Sequence, residues 1–302
     1  MAPPLHRLVD AFAMWTEDRR ERAPVPFRPH DGAPLDCFAP LPPLPAAPPP
    51  EGTWRAASPR PVEGDAVMVM TVRPAAGRAR GTAILVPPWK VPGLAILAGY
   101  EQLLARTGLD VWTLVPPRHL GRASPGTRSG EGFVSPDLRV LKASVEQLVL
   151  ELRLLAALAR ARGGETVMLG LSLGALGAAL AATAPERVDR LALVAPPADL
   201  AAVLAETRIG RRYARLAERA GAPLPPRAAL EELLAPFRAD ARRPTAGRVF
   251  LAVGEHDRIA LRAGAAALAR AWGTEARRYP RGHLTLLFAC RALRRDLARF
   301  LS

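Results

Sequence analysis

In the segment ETVMLGLSLGALGAALAA, Gly170-Leu171-Ser172-Leu173-Gly174 sets a serine between two glycines at G-x-S-x-G spacing. An apolar run, Val167–Leu169, leads into it, and a run of small residues from Ala175 to Ala182 follows as a helix. In that strand–turn–helix setting the serine sits on a sharp turn with its hydroxyl lifted above the sheet edge. Side chains two positions before and after it would collide, so glycine stands at both. The chemistry this suits is nucleophilic attack by Ser172. The helix N-terminus turns its free N–H groups and dipole toward the reacting atom, and the Leu173 N–H is one expected oxyanion donor.

A serine hydroxyl is a weak nucleophile without a base. Downstream of Ser172 there are two histidines, His256 and His283. His283 lies in YPRGHLTLLF, after an expected last strand (Glu275–Tyr279) and before a C-terminal helix, and is the candidate base. His256 lies in the acid loop. RVFLAVGEHDRIA reads as a strand, Gly254, a polar loop and a helix, which makes Asp257 the first candidate for the carboxylate that orients the imidazole. Glu255 ranks second and Asp199, after the preceding strand, third. A helix cap is the other use for Asp257. The second oxyanion donor is expected in the loop Val86-Pro87-Pro88-Trp89-Lys90. Proline has no N–H, so the Trp89 backbone is the candidate. Lys90 either adds positive charge near the oxyanion or is a solvated lysine.

These residues need a scaffold. Val67–Val72, Ala83–Val86, Val111–Val115, Thr166–Leu171, Leu191–Val194 and Val249–Val253 are short aliphatic runs, several uninterrupted, as expected of strands buried on both faces. Between them the periodicity is helical. Residues 135–162 are the clearest helix, with Ser135 as N-cap, Pro136 at the first position and Gly163-Gly164 as the stop. Such alternation predicts an α/β fold: a mostly parallel sheet with helices on both faces. Residues 1–20 read as an amphipathic helix, with an apolar face of Leu5, Leu8, Val9, Phe12 and Trp15 that packs on the protein body. Residues 23–50 are proline-rich and read as an extended connector. The domain proper then runs over residues 51–302.

The net charge of +14 comes almost wholly from arginine, since Lys90 and Lys142 are the only lysines. With no basic run interleaved with aromatics, nucleic-acid binding is not expected. Cys37 and Cys290 make neither a disulfide framework nor a metal site. No stretch reads as a membrane span or a secretory leader, so the expected location is cytoplasmic. The oligomeric state stays open.

Together GLSLG, GEHD and the Gly282-His283 pair resemble, in this order, the α/β-hydrolase superfamily over residues 51–302. The resemblance implies a roughly eight-stranded, mostly parallel sheet. It also implies hydrolysis of a small-molecule acyl ester by Ser172, Asp257 and His283 through an acyl-enzyme, and no metal or organic cofactor. A thioesterase, amidase or peptidase shares the triad, and a non-catalytic binding protein could keep the fold. Two features are distinctive. Pro87-Pro88 stands where the superfamily commonly has His-Gly. The segment PPRHLGRASPGTRSGEGFVSPDLR is similar to a loop in bacterial members without assigned substrates, and makes His119, Arg122 and Glu131 candidate pocket residues; an Arg–Glu pair that fixes the loop is the alternative. Residues 198–246 fall where the superfamily inserts a helical cap. There Ile209, Tyr213, Leu216 and Ala220 form an apolar stripe over the site, and Arg208, Arg211, Arg212, Arg215 and Arg219 a basic stripe that attracts an anionic group or is a solvated face.

Overall fold

The aliphatic runs pair into one eight-stranded sheet in the computed structural model, which describes residues 9–10, 36–62, 64–135, 137–219 and 221–302. The strands are β1 (Gly52–Val62), β2 (Asp65–Arg73), β3 (Gly81–Val86), β4 (Leu109–Val115), β5 (Glu165–Leu171), β6 (Arg190–Val194), β7 (Arg248–Gly254) and β8 (Ala276–Tyr279). They lie in the order β1-β2-β4-β3-β5-β6-β7-β8. β2 is antiparallel to β1 and to β4, and the strands from β4 through β8 run parallel. β3 is buried along its whole length, which explains its unbroken apolar run.

Helices cover both faces. α1 (Ala98–Arg106) packs on one face, while α2 (Leu138–Arg162) and α3 (Leu173–Ala181) pack on the other. Between β6 and β7 come α4 (Leu200–Glu206), α5 (Arg208–Arg219) and α6 (Arg227–Leu233). α7 (Arg262–Trp272) joins the α2 face, and α8 (His283–Ala289) and α9 (Arg291–Leu301) join α1. The chain goes from β3 sideways to β4 and from β5 the other way to β6. The crevice between the ends of β3 and β5 is therefore a topological switch point, where open parallel sheets bind ligands.

Local differences from the sequence reading have physical causes. β1 was not among the expected strands because it carries Pro59 and Pro61; both are tolerated because β1 is an edge strand whose register shifts between Ala57 and Val62. α2 begins at Leu138, not near Ser135: Asp137 is its N-cap and accepts from the Arg139 N–H, while Ser135 Oγ accepts from the Asp137 N–H. Pro136 and Ala220 lie outside the described residues. Gly163 ends α2 at φ 83°, as the glycine pair suggested. On α5, Ile209 and Tyr213 are buried, but so is Arg212, which leaves Arg208, Arg211, Arg215 and Arg219 as the exposed basic residues.

Of the expected N-terminal helix, only Val9 and Asp10 are described, and both are helical. Of the proline-rich arm, residues 36–50 are described and contain neither helix nor strand. That arm is held by Arg153 of α2, whose guanidinium donates to the Cys37 and Ala39 carbonyls at 2.8 Å. Cys37 and Cys290 are buried and unpaired. No helix among the described residues is long and apolar enough to cross a membrane.

Candidate functional site

Ser172 occupies the turn between β5 and α3 with φ 51° and ψ −114°, a left-handed backbone that a non-glycine residue adopts only under constraint. Its N–H donates to the Val194 carbonyl at 2.8 Å, which ties the turn to β6. The two flanking glycines allow this. A Cβ on Gly170 would lie 2.4 Å from the Gly174 carbonyl oxygen, and one on Gly174 would lie 2.3 Å from the Val86 carbonyl oxygen at the end of β3. The second contact matters most for geometry, since it seats the serine turn directly against the loop that carries Trp89.

His283 is the first residue of α8, on the loop that follows β8. Its Nε2 lies 2.9 Å from Ser172 Oγ, and its Nδ1 lies 2.7 Å from Asp257 Oδ2. With the carboxylate on Nδ1, that nitrogen carries the proton and Nε2 presents its lone pair to the hydroxyl. Asp257 holds its place with its other oxygen, Oδ1, which accepts from the Ile259 and Ala260 N–H groups at 2.8 and 2.9 Å. The alternative use as a helix cap is not taken up: Oδ1 bonds within the loop, and Leu261 is the N-cap of α7. All three side chains are buried. Burial alone would push the His283 imidazole down; the charge and hydrogen bond of Asp257, helped by the charge of Asp10, outweigh it and raise the histidine above its ordinary range.

The other carboxylates stand elsewhere. Asp199 caps α4 through the Ala202 N–H and faces Arg227. Glu255 is half-buried in the loop after β7, and His256 beside it is tied through its N–H to the Arg281 carbonyl.

The loop after β3 is held from behind. The Trp89 indole N–H donates to the Gly130 carbonyl at 2.8 Å. His119, fully buried, accepts from the Lys90 N–H on Nε2 at 3.0 Å, and its Nδ1 lies 2.8 Å from the Pro117 carbonyl. Burial holds this imidazole down at about 4, so it is neutral, with its proton on Nδ1. His119 therefore braces the loop from its buried side and is not among the residues that line the two cavities beside Ser172 and Asp257. Lys90 has φ 59° and sets its ammonium 4.5 Å from the Trp89 ring centroid.

Of the two readings offered for this loop, pocket residues or an Arg–Glu pair, the pair is not made between Arg122 and Glu131. Arg122 turns inward, where its guanidinium meets Asp65 Oδ1 and both oxygens of Glu151 at 2.7 Å and the Val115 carbonyl at 2.8 Å. Glu131 accepts from the Arg128 N–H within its own loop. Arg122 is drawn inward because Asp65 and Glu151, far away in sequence, supply a buried partner set.

Two cavities adjoin Ser172 and Asp257. The one that contains Ser172, of about 60 Å3, is walled by apolar side chains, among them Trp89, Leu141, Leu200, Leu204 and Ile209. The larger, of about 440 Å3, lies beyond Ile209 and Ile259, against Asp257, Asp10, Arg208 and Arg258. Asp10 is the side chain the sequence reading missed. It is buried, and its two carboxylate oxygens accept from the His283 and Leu284 N–H groups at 2.8 and 3.0 Å. No local pattern in the sequence marks an aspartate for a partner 273 residues away. No group of three or more His, Cys, Asp or Glu among the described residues is placed to hold a metal ion.

No family model matches the chain and no curated protein is similar to it in sequence. Its backbone is similar to solved structures. A protein of Agrobacterium vitis S4 with a provisional hydrolase designation aligns at 16% identity and TM-score 0.57, over 84% of this chain and 100% of that one. An esterase of Pyrococcus furiosus aligns at 13% and 0.55, over 83% and 91%. A monoacylglycerol lipase of Paleococcus ferrophilus aligns at 18% and 0.52, over 77% and 98%. At such identities the likeness is one of fold.

Proposed function

We propose, on the premise of the α/β-hydrolase fold that this chain adopts, that it is a serine hydrolase cleaving carboxylic esters with short apolar acyl groups. The observation that carries the reading is the Ser172–His283–Asp257 relay, at 2.9 and 2.7 Å, on a serine held at positive φ.

In this reading Ser172 Oγ attacks the ester carbonyl carbon while His283 Nε2 takes the hydroxyl proton. Asp257 orients the imidazole and stabilises the imidazolium. The negative charge on the carbonyl oxygen is met by the Leu173 N–H at the start of α3 and by the Trp89 N–H. Collapse breaks the ester C–O bond, and the leaving alkoxide takes the proton from His283. Water then attacks the acyl-enzyme carbonyl, gives its proton to Nε2, and Ser172 recovers its own as the carboxylic acid leaves. Segment 198–246 serves as the cap, since α4 and α5 supply Leu200, Val203, Leu204 and Ile209 to the wall beside Ser172. A small cavity walled by apolar side chains fits an acyl group better than a peptide, which favours the ester over the peptidase reading.

A fluorophosphonate should label the Ser172 peptide of the folded protein. Short-chain p-nitrophenyl esters should turn over with burst kinetics, and Ser172→Ala should abolish both signals. Turnover untouched by that substitution, or a folded protein with no adduct on this peptide, overturns the reading.

A further inference from the structure

α8 begins at the proposed base itself, so the placement of the imidazole depends on the first turn of that helix. Two N–H groups of this turn, those of His283 and Leu284, end on the carboxylate of Asp10, one on each oxygen. The Gly282 N–H is met locally, by Thr285 Oγ1. Asp10 is only 5% exposed and belongs to no strand or helix of the sheet scaffold. Its charge thus sits on the backbone side of His283, while Asp257 approaches from the ring side. These two are the charged groups that face the imidazole among the described residues; Ser172 faces it uncharged.

We propose that Asp10 is a positioning residue of the catalytic centre: its carboxylate clamps the first turn of the histidine helix and holds His283 against Ser172. The role given to His283 rests on the ester-hydrolase reading, whereas the clamp itself does not. The Asp10 carboxylate lies against the backbone of the histidine turn. Its charge favours the imidazolium that forms as Ser172 attacks, in the same sense as Asp257. Asp10, which precedes the sheet domain in the sequence, is then a working part of the site.

The test uses the full-length protein and the variants Asp10→Asn and Asp10→Ala. Asparagine keeps the shape and one acceptor but loses the charge; alanine loses both bonds. NMR titration of the His283 ring should show its pKa lowered by about one unit in Asp10→Asn. The acid limb of kcat/KM for p-nitrophenyl butyrate should move down with it. In Asp10→Ala, kcat should fall about 10- to 100-fold with KM little changed, as expected of a displaced base. An unchanged His283 pKa and acid limb in a folded Asp10→Asn protein, even with a lowered melting temperature, would show Asp10 to be merely structural and overturn the proposal. If neither variant folds, amide exchange in the wild type decides. Protected His283 and Leu284 amides support the clamp, and solvent-like exchange at both removes it. The NMR readouts need no turnover, so they separate failure of the clamp from failure of the esterase reading.

Discussion

His119 Nε2 accepts the Lys90 N–H at 3.0 Å and so ties the loop after β4 to the loop after β3. The bond matters because two prolines precede Trp89 and leave that turn few N–H groups to anchor it. His119→Ala should therefore lower kcat by about 10- to 100-fold, in the range for an impaired oxyanion donor, with a smaller change in KM. His119→Gln, which keeps an acceptor, should lose less. Steady-state kinetics on p-nitrophenyl butyrate checks both; equal activity of all three proteins would show that the brace has no part in turnover.

Asp257→Asn should leave the fold intact and cut kcat by about 10,000-fold, because an amide favours the wrong imidazole tautomer. The Ile259 and Ala260 N–H groups can still find the amide oxygen, so the melting temperature should change little. Glu255→Gln and Asp199→Asn should retain near wild-type kcat, since Asp199 is committed to α4 and Arg227.

The raised His283 pKa fixes the sign of the pH dependence. Attack needs the neutral imidazole, so kcat/KM should fall on the acid side with its midpoint above the ordinary value of about 6.5. His119, held down at about 4, stays neutral over that range and adds no second limb. For stability the sign is opposite. The interactions that raise His283 favour its charged form, so their contribution is complete below the unfolded value and disappears as pH rises through the folded one. A pH–rate profile with parallel thermal melts tests both.

Arg122→Met should destabilise the fold by about 3–5 kcal/mol, because it strands two buried carboxylates, Asp65 and Glu151, without their cation. Chemical denaturation measures this directly. Arg122→Lys should recover little, since one ammonium cannot replace the bidentate contact to Glu151.

Ile209 and Ile259 both border the two cavities beside Ser172 and Asp257. The wild type should prefer butyrate to decanoate esters. Ile209→Ala should open the partition and shift the ratio of the two kcat/KM values about 10-fold toward the longer chain. An unchanged ratio would mean that the acyl chain leaves by another route.

Much of this was legible because it is local. Gly170, Ser172 and Gly174 reveal a turn in five consecutive residues, since the collisions that demand glycine are with the turn's own backbone and the strand beside it. The parallel strands announced themselves as unbroken aliphatic runs because both their faces are covered. What could not be read is what long-range contact decides. Arg122 and Glu131 are close in sequence and opposite in charge, yet Arg122 pairs with Asp65 and Glu151. His119 looked like a pocket residue because a histidine among arginines carries no mark of burial. Asp10 had no signal, because its partners are backbone N–H groups, which every sequence has everywhere. The serine turn and the aliphatic runs that pair as strands follow from chain-local sterics and hydrophobic periodicity. Which buried carboxylate neutralises which cation, and which distant side chain closes the histidine turn, is decided only when desolvation in the folded state makes each polar group take the partner nearest to it.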